Sequence, residues 1–92
     1  MTITAEGRRV QIEAETRSQI QVLAEEIRRR RKEQDLSLEA LASLSGVSRS
    51  MISKIERGEA VPSTAVLSRL AEALGVTFSR LMAPTTEVEV LL

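Results

Sequence analysis

Cysteine and histidine are both missing from this 92-residue chain. The first absence excludes disulfides and thiolate metal sites. The second removes the usual general base and the usual zinc ligand. Tryptophan and tyrosine are missing too, and Phe78 is the one aromatic residue. A core must therefore be packed from Leu, Ile, Val, Met and Ala. No aromatic platform is left on which the bases of single strands or RNA would stack. No apolar run approaches the roughly 20 residues of a membrane span, and no signal peptide is visible. The expectation is a cytoplasmic protein with no membrane partner. A surplus of charge is lacking as well, since 13 basic residues balance 13 acidic ones.

The distribution of that charge carries more information than its sum. From Arg17 to Leu81 there are 11 basic and 8 acidic residues. The remaining acids lie toward the ends, at Glu6, Glu13, Glu15, Glu87 and Glu89. A modestly basic domain of this kind still suits a local nucleic-acid contact, with weaker non-specific binding than a strongly basic module shows. Carboxylates are plentiful, but no nucleophile–base pair and no glycine loop fit to cradle phosphate is present. No catalytic, metal or cofactor site is expected, and an enzyme is disfavoured.

The length fits one small domain with tails. Residues 1–17 lack a sustained helical or alternating pattern and read as an N-terminal arm. Arg8 and Arg9 would let it touch a phosphate or minor groove. From about Ser18 to Gln34, apolar residues at Ile20, Leu23, Ala24 and Ile27 predict a helix, with Arg31 on the same stripe. The domain then runs to residue 82. After Pro62, Ser63 caps a helix with the stripe Val66, Leu67, Leu70, Ala71 and Leu74, ended at Gly75. Thr77 caps a fifth short helix, whose Phe78, Leu81 and Met82 are expected to close the bottom of the core. Residues 83–92 alternate polar and apolar after Pro84, as a tail or the start of a further strand. The fold class is all-α, a compact five-helix bundle.

The centre of this pattern is Ser37–Gly58, SLEALASLSGVSRSMISKIERG. Ser37 is placed to cap a helix whose apolar side is Leu38, Leu41, Ala42 and Leu44. Gly46, with no Cβ, permits the left-handed backbone of a sharp bend. Val47 plugs the bend and Ser48 caps a second helix that ends at Gly58. At about 100° per residue, Met51, Ile52 and Ile55 share one side of that helix, with Glu56 on its flank. The other side shows Arg49, Ser50, Ser53, Lys54 and Arg57: donors and cations, and no carboxylate. Such a face matches a major groove, where base edges offer acceptors between two walls of phosphate.

The run Leu41-Ala42, Gly46-Val47-Ser48, Ile52-Ser53 and Ile55-Glu56-Arg57-Gly58 resembles the helix-turn-helix of the phage repressor and Cro family, the XRE-like regulators. The likeness extends from about Leu23 to Met82. It implies sequence-specific binding to double-stranded DNA and transcriptional regulation, by a homodimer on a palindromic operator. Arg49, Ser50, Ser53 and Lys54 are then the base-reading residues, and Arg49 is suited to a bidentate contact with guanine O6 and N7. Phosphate contacts are expected from Arg57, Arg30 and Ser48 and from the helix N-termini at Ser37 and Ser63. An ion pair between Arg31 and Glu56 joins the first and third helices in the family. The chain departs from the pattern at Arg30, often apolar in relatives, at Asp35, often glycine, and at Glu59, often lysine or arginine. Many longer members continue into a ligand-sensing β-barrel, which the tail would introduce if the chain were a fragment. A second reading is an antitoxin-type interaction module that neutralises a partner protein. Its exposed carboxylates and free tails permit that role, and such modules also bind operators.

Overall fold

The computed structural model describes the backbone of residues 5–82 and the side chains of residues 17–82. Five helices follow one another: α1 (Ala5–Glu33), α2 (Leu38–Ser45), α3 (Arg49–Glu56), α4 (Thr64–Leu74) and α5 (Phe78–Met82). No strand occurs among the described residues. The first helix, expected from Ser18, already begins at Ala5. Most of the stretch read as an arm is thus helical backbone continuous with the domain. The alternating stretch 83–92 lies outside the described residues.

Local hydrogen bonds set the helix boundaries. Ser37, Ser48 and Ser63 each accept, through Oγ, the backbone N–H three residues on, at 3.0, 3.1 and 3.2 Å. Thr77 does the same for Arg80 at 3.0 Å. Each bond satisfies one of the donors that a helix start leaves without a partner. The end of α1 is closed without glycine. Leu36 N–H donates to Arg31 O at 3.1 Å and Asp35 N–H to Lys32 O at 3.0 Å, the paired bonds of a Schellman stop. Asp35 holds the left-handed position of that stop at φ 57°. An L side chain in that conformation crowds the following carbonyl, a strain that glycine would not carry.

The core is made by one stripe from each helix. Ile27, Leu41, Ile52, Ile55, Leu70 and Leu81 are fully enclosed, and Val47, Leu67, Ala71 and Leu74 complete the cluster. Between α2 and α3, Gly46 turns the chain at φ 76°. The buried Ser45 hydroxyl accepts from Val47 N–H at 3.1 Å, so the bend keeps its polar groups paired while Val47 enters the core. The side chain of Gln34 crosses to Leu74 O at 2.7 Å and ties the end of α1 to the end of α4.

Four residues assigned to the apolar side by periodicity are exposed. Leu44 is 62% exposed and Met51 37%. Both stand on the rim of their stripes, where the neighbouring helices do not reach. At the bottom of the core only Leu81 is buried, while Phe78 and Met82 remain 38% and 50% exposed. Helix α5 has five residues, enough to insert one of them fully. Phe78 and Met82 instead line an open groove of about 590 Å³ together with Val22, Leu23, Val61 and Leu67.

Candidate nucleic-acid interface

Helix α3 is fixed from beneath at several points. Ile52 and Ile55 are buried to 0% and 1% exposure. On the flank, Arg31 of α1 grips Glu56 with a two-pronged contact, Nε to Oε2 at 2.8 Å and Nη2 to Oε1 at 2.9 Å. The third nitrogen, Nη1, donates to Leu36 O at 2.8 Å, so every arm of the guanidinium is used. Its side chain is 11% exposed and that of Glu56 only 6%. The hydrogen bonds that Arg31 donates to Glu56 outweigh the cost of burial and push the Arg31 pKa further up. Planar, bidentate and largely out of water, this pair clamps α3 to α1.

With the underside anchored, the opposite side faces solvent. Arg49, Ser50, Lys54 and Arg57 are exposed, and Ser53 is half-buried. Ser50 and Lys54 are four residues apart, on one face of the helix. The N-terminus of α3 is capped by the Ser48 hydroxyl. Helix α2 begins beside it, because Glu39 in the first turn of α2 lies 2.8 Å from Arg49 Nε. The candidate interface therefore lies on two short helices joined by the Gly46 bend. Ser63 opens α4 beyond the loop that follows Gly58.

The sequence pattern placed no carboxylate on this face, and the structure corrects that. Glu39 reaches Arg49 from α2. From the loop after α3, Glu59 takes Arg57 with both oxygens, Nε to Oε2 and Nη2 to Oε1 at 3.0 Å each. The remaining Arg57 nitrogen donates to the Ser53 hydroxyl. The Glu59 bonds raise the Arg57 pKa and lower that of Glu59. Among the described residues, Lys54 is the α3 cation that makes no ion pair. No helix-wheel reading finds these acids, since Glu39 belongs to another helix and Glu59 to a loop.

Arg30 is corrected as well. It was expected at the surface, within reach of phosphate, but its side chain is 17% exposed and bonded to Glu26. Arg29 joins the same carboxylate at 2.6 Å. Glu26 is 6% exposed. Burial drives its pKa up, but the hydrogen bonds from Arg29 and Arg30 prevail and leave it below the usual value. Two of the five consecutive cations in Arg28–Lys32 therefore neutralise a buried acid, and Arg31 neutralises another. The basic run is largely structural.

Comparison with known proteins gives this geometry its relatives. A helix-turn-helix family model matches residues 27–81. The transcriptional repressor RghR of Bacillus subtilis is 44% identical over 59 residues, covering 63% of this chain and 44% of that protein. Among solved structures, a transcriptional regulator from Vibrio cholerae superposes with a TM-score of 0.69 at 38% identity, over 74% of this chain and 38% of that one. The restriction-modification controller protein C.AhdI of Aeromonas hydrophila superposes at 0.67 and 33% identity, over 70% of this chain and 97% of its own. This chain thus spans less than half the length of RghR and of the Vibrio regulator. With the capped α2–bend–α3 unit, the five-helix core and these matches together, the chain belongs to the XRE-like helix-turn-helix family of transcriptional regulators.

Proposed function

We propose that this chain binds double-stranded DNA in a sequence-specific way through the outer face of α3, and regulates transcription as a homodimer on a palindromic operator. The observation that carries the reading is the division of α3. Ile52, Ile55 and Glu56 are locked to the body while Arg49, Ser50 and Lys54 are open to solvent. A helix so anchored enters a major groove without reordering the domain. In this reading Arg49 addresses guanine O6 and N7, Ser50 and Ser53 meet neighbouring base edges, and Lys54 reaches a guanine or a phosphate. Arg57 and the N–H groups at the starts of α2, α3 and α4, beside Ser37, Ser48 and Ser63, hold the backbone. Residues 18–82 form the binding unit. A single module of this size covers little DNA, and dimers of such domains span half-sites about one helical turn, roughly 34 Å, apart.

Selection from a random-sequence duplex library with the purified protein tests the whole reading. Enrichment of an inverted repeat with that spacing supports a dimer reading bases. Recovery of a pool as random as the input overturns sequence-specific binding.

A further inference from the structure

The two acids on the reading face are not equivalent. Glu39 meets Arg49 from a separate helix, with side chains 69% and 57% exposed. Glu59 is placed by the backbone itself. Gly58 takes the left-handed conformation at φ 73° that closes α3. The next N–H, of Glu59, bonds back to Lys54 O at 2.8 Å. That stop fixes the Glu59 backbone and turns its side chain back over the end of α3. There its two oxygens occupy the same fork of Arg57 that would clasp a phosphate. Ser53 takes a bond from the third nitrogen, so each nitrogen of Arg57 already has a partner inside the domain.

We propose that Glu59 is a built-in phosphate competitor that limits the affinity of this domain for DNA. The proposal rests on the DNA-binding reading above. A DNA phosphate takes this fork of Arg57 only by displacing the Glu59 carboxylate, and the freed carboxylate stands within the field of the incoming phosphates. It then gathers a cation from solution as the phosphate loses one. The exchange releases no net counterion, so the Arg57 contact adds almost nothing to the salt dependence of binding. Because phosphate contacts are shared by cognate and random duplexes, Glu59 weakens both by a similar factor and leaves the preference between them unchanged. The carboxylate is ionised throughout the neutral range, since Arg57 first and Lys54 less strongly hold its pKa below the usual value.

The test compares the full chain with Glu59→Gln, Arg57→Gln, the double variant, and Glu72→Gln as an exposed acid of equal charge on α4. Each is titrated against a fluorescein-labelled random-sequence duplex and the library-selected duplex, from 50 to 200 mM salt. Glu59→Gln should tighten binding to both by about 3- to 10-fold at low salt and steepen the salt slope by about 0.9, one added phosphate contact. Across that salt range the gain should fall about threefold. In the Arg57→Gln background the gain should vanish, and Glu72→Gln should show little gain. An unchanged affinity in Glu59→Gln, or a gain that persists without Arg57, overturns the competitor role while leaving DNA binding intact. Absence of binding by the wild type and every variant overturns the DNA reading and this proposal with it.

Discussion

Replacing Arg31 by methionine probes the ionic tie between α3 and α1. The change removes two hydrogen bonds to Glu56 and one to Leu36 O. It strands a carboxylate that is 6% exposed in a site with no other cation shown to pair with it. Both partners lie well below one-third exposure, so solvent screening does little to reduce the cost. Breaking a buried pair from one side costs about 3–5 kcal/mol, against a total of about 5–15 kcal/mol for a domain. Each kcal/mol moves the melting temperature of a 60–100-residue domain by about 4–8 °C, so a fall of at least about 12 °C is expected. Urea unfolding should show a lower midpoint at an unchanged slope, since the surface exposed on unfolding stays the same. The double variant Arg31→Met with Glu56→Met should recover most of the loss, because an apolar pair of similar volume needs no desolvation of charge. Arg57→Gln serves as a contrast, since its pair is 53% and 56% exposed and solvent already screens it. A fall below about 1 kcal/mol for Arg31→Met would refute the clamp. The bridge would then be a bystander, and hydrophobic contacts alone would hold α3.

Four further outcomes are expected. Arg49→Ala should weaken binding to the selected duplex by about 1–3 kcal/mol and relax preference at one base pair; equal loss on random duplex would remove Arg49 from base reading. Asp35→Gly should raise stability by about 0.5–1 kcal/mol in thermal unfolding, because φ 57° strains an L residue and not glycine. Leu81→Ala should cost about 2–5 kcal/mol, whereas Phe78→Ser should cost much less despite the larger side chain, a ranking that urea midpoints will check. In acid, the wild type should lose stability that Glu26→Gln does not. A carboxyl with a depressed folded-state pKa stabilises above its unfolded value of about 4.3 and loses that contribution as the pH falls further. Parallel acid-unfolding curves for the two proteins would contradict this.

The residues of the helix-turn-helix itself are legible in the sequence. Ser37, Ser48, Ser63 and Thr77 accept N–H groups three residues along the chain. Such bonds depend on spacing alone, so caps, bends and helix order are written locally. The apolar stripes likewise named Ile27, Leu41, Ile52, Ile55 and Leu70 as core. What a stripe cannot give is depth, which depends on how far the neighbouring helices extend. Leu44, Met51, Phe78 and Met82 therefore lie on the right side of their helices and yet meet solvent.

Charge was harder to read than apolarity, because a long ionic side chain finds its partner through space. The cation at Arg30 turned inward to Glu26, a residue four positions away that only the packing of α1 made buried. Glu59 and Glu39 came to the cations of α3 and its C-cap from a loop and from another helix. The linear order of residues determined the elements of this protein and the helix-turn-helix they form, since those follow from hydrogen bonds and periodicities a few residues long. The tertiary structure decided which of its cations remain open to a partner, since pairing follows distance in space, and folding brings acids onto a face where the helix itself has none.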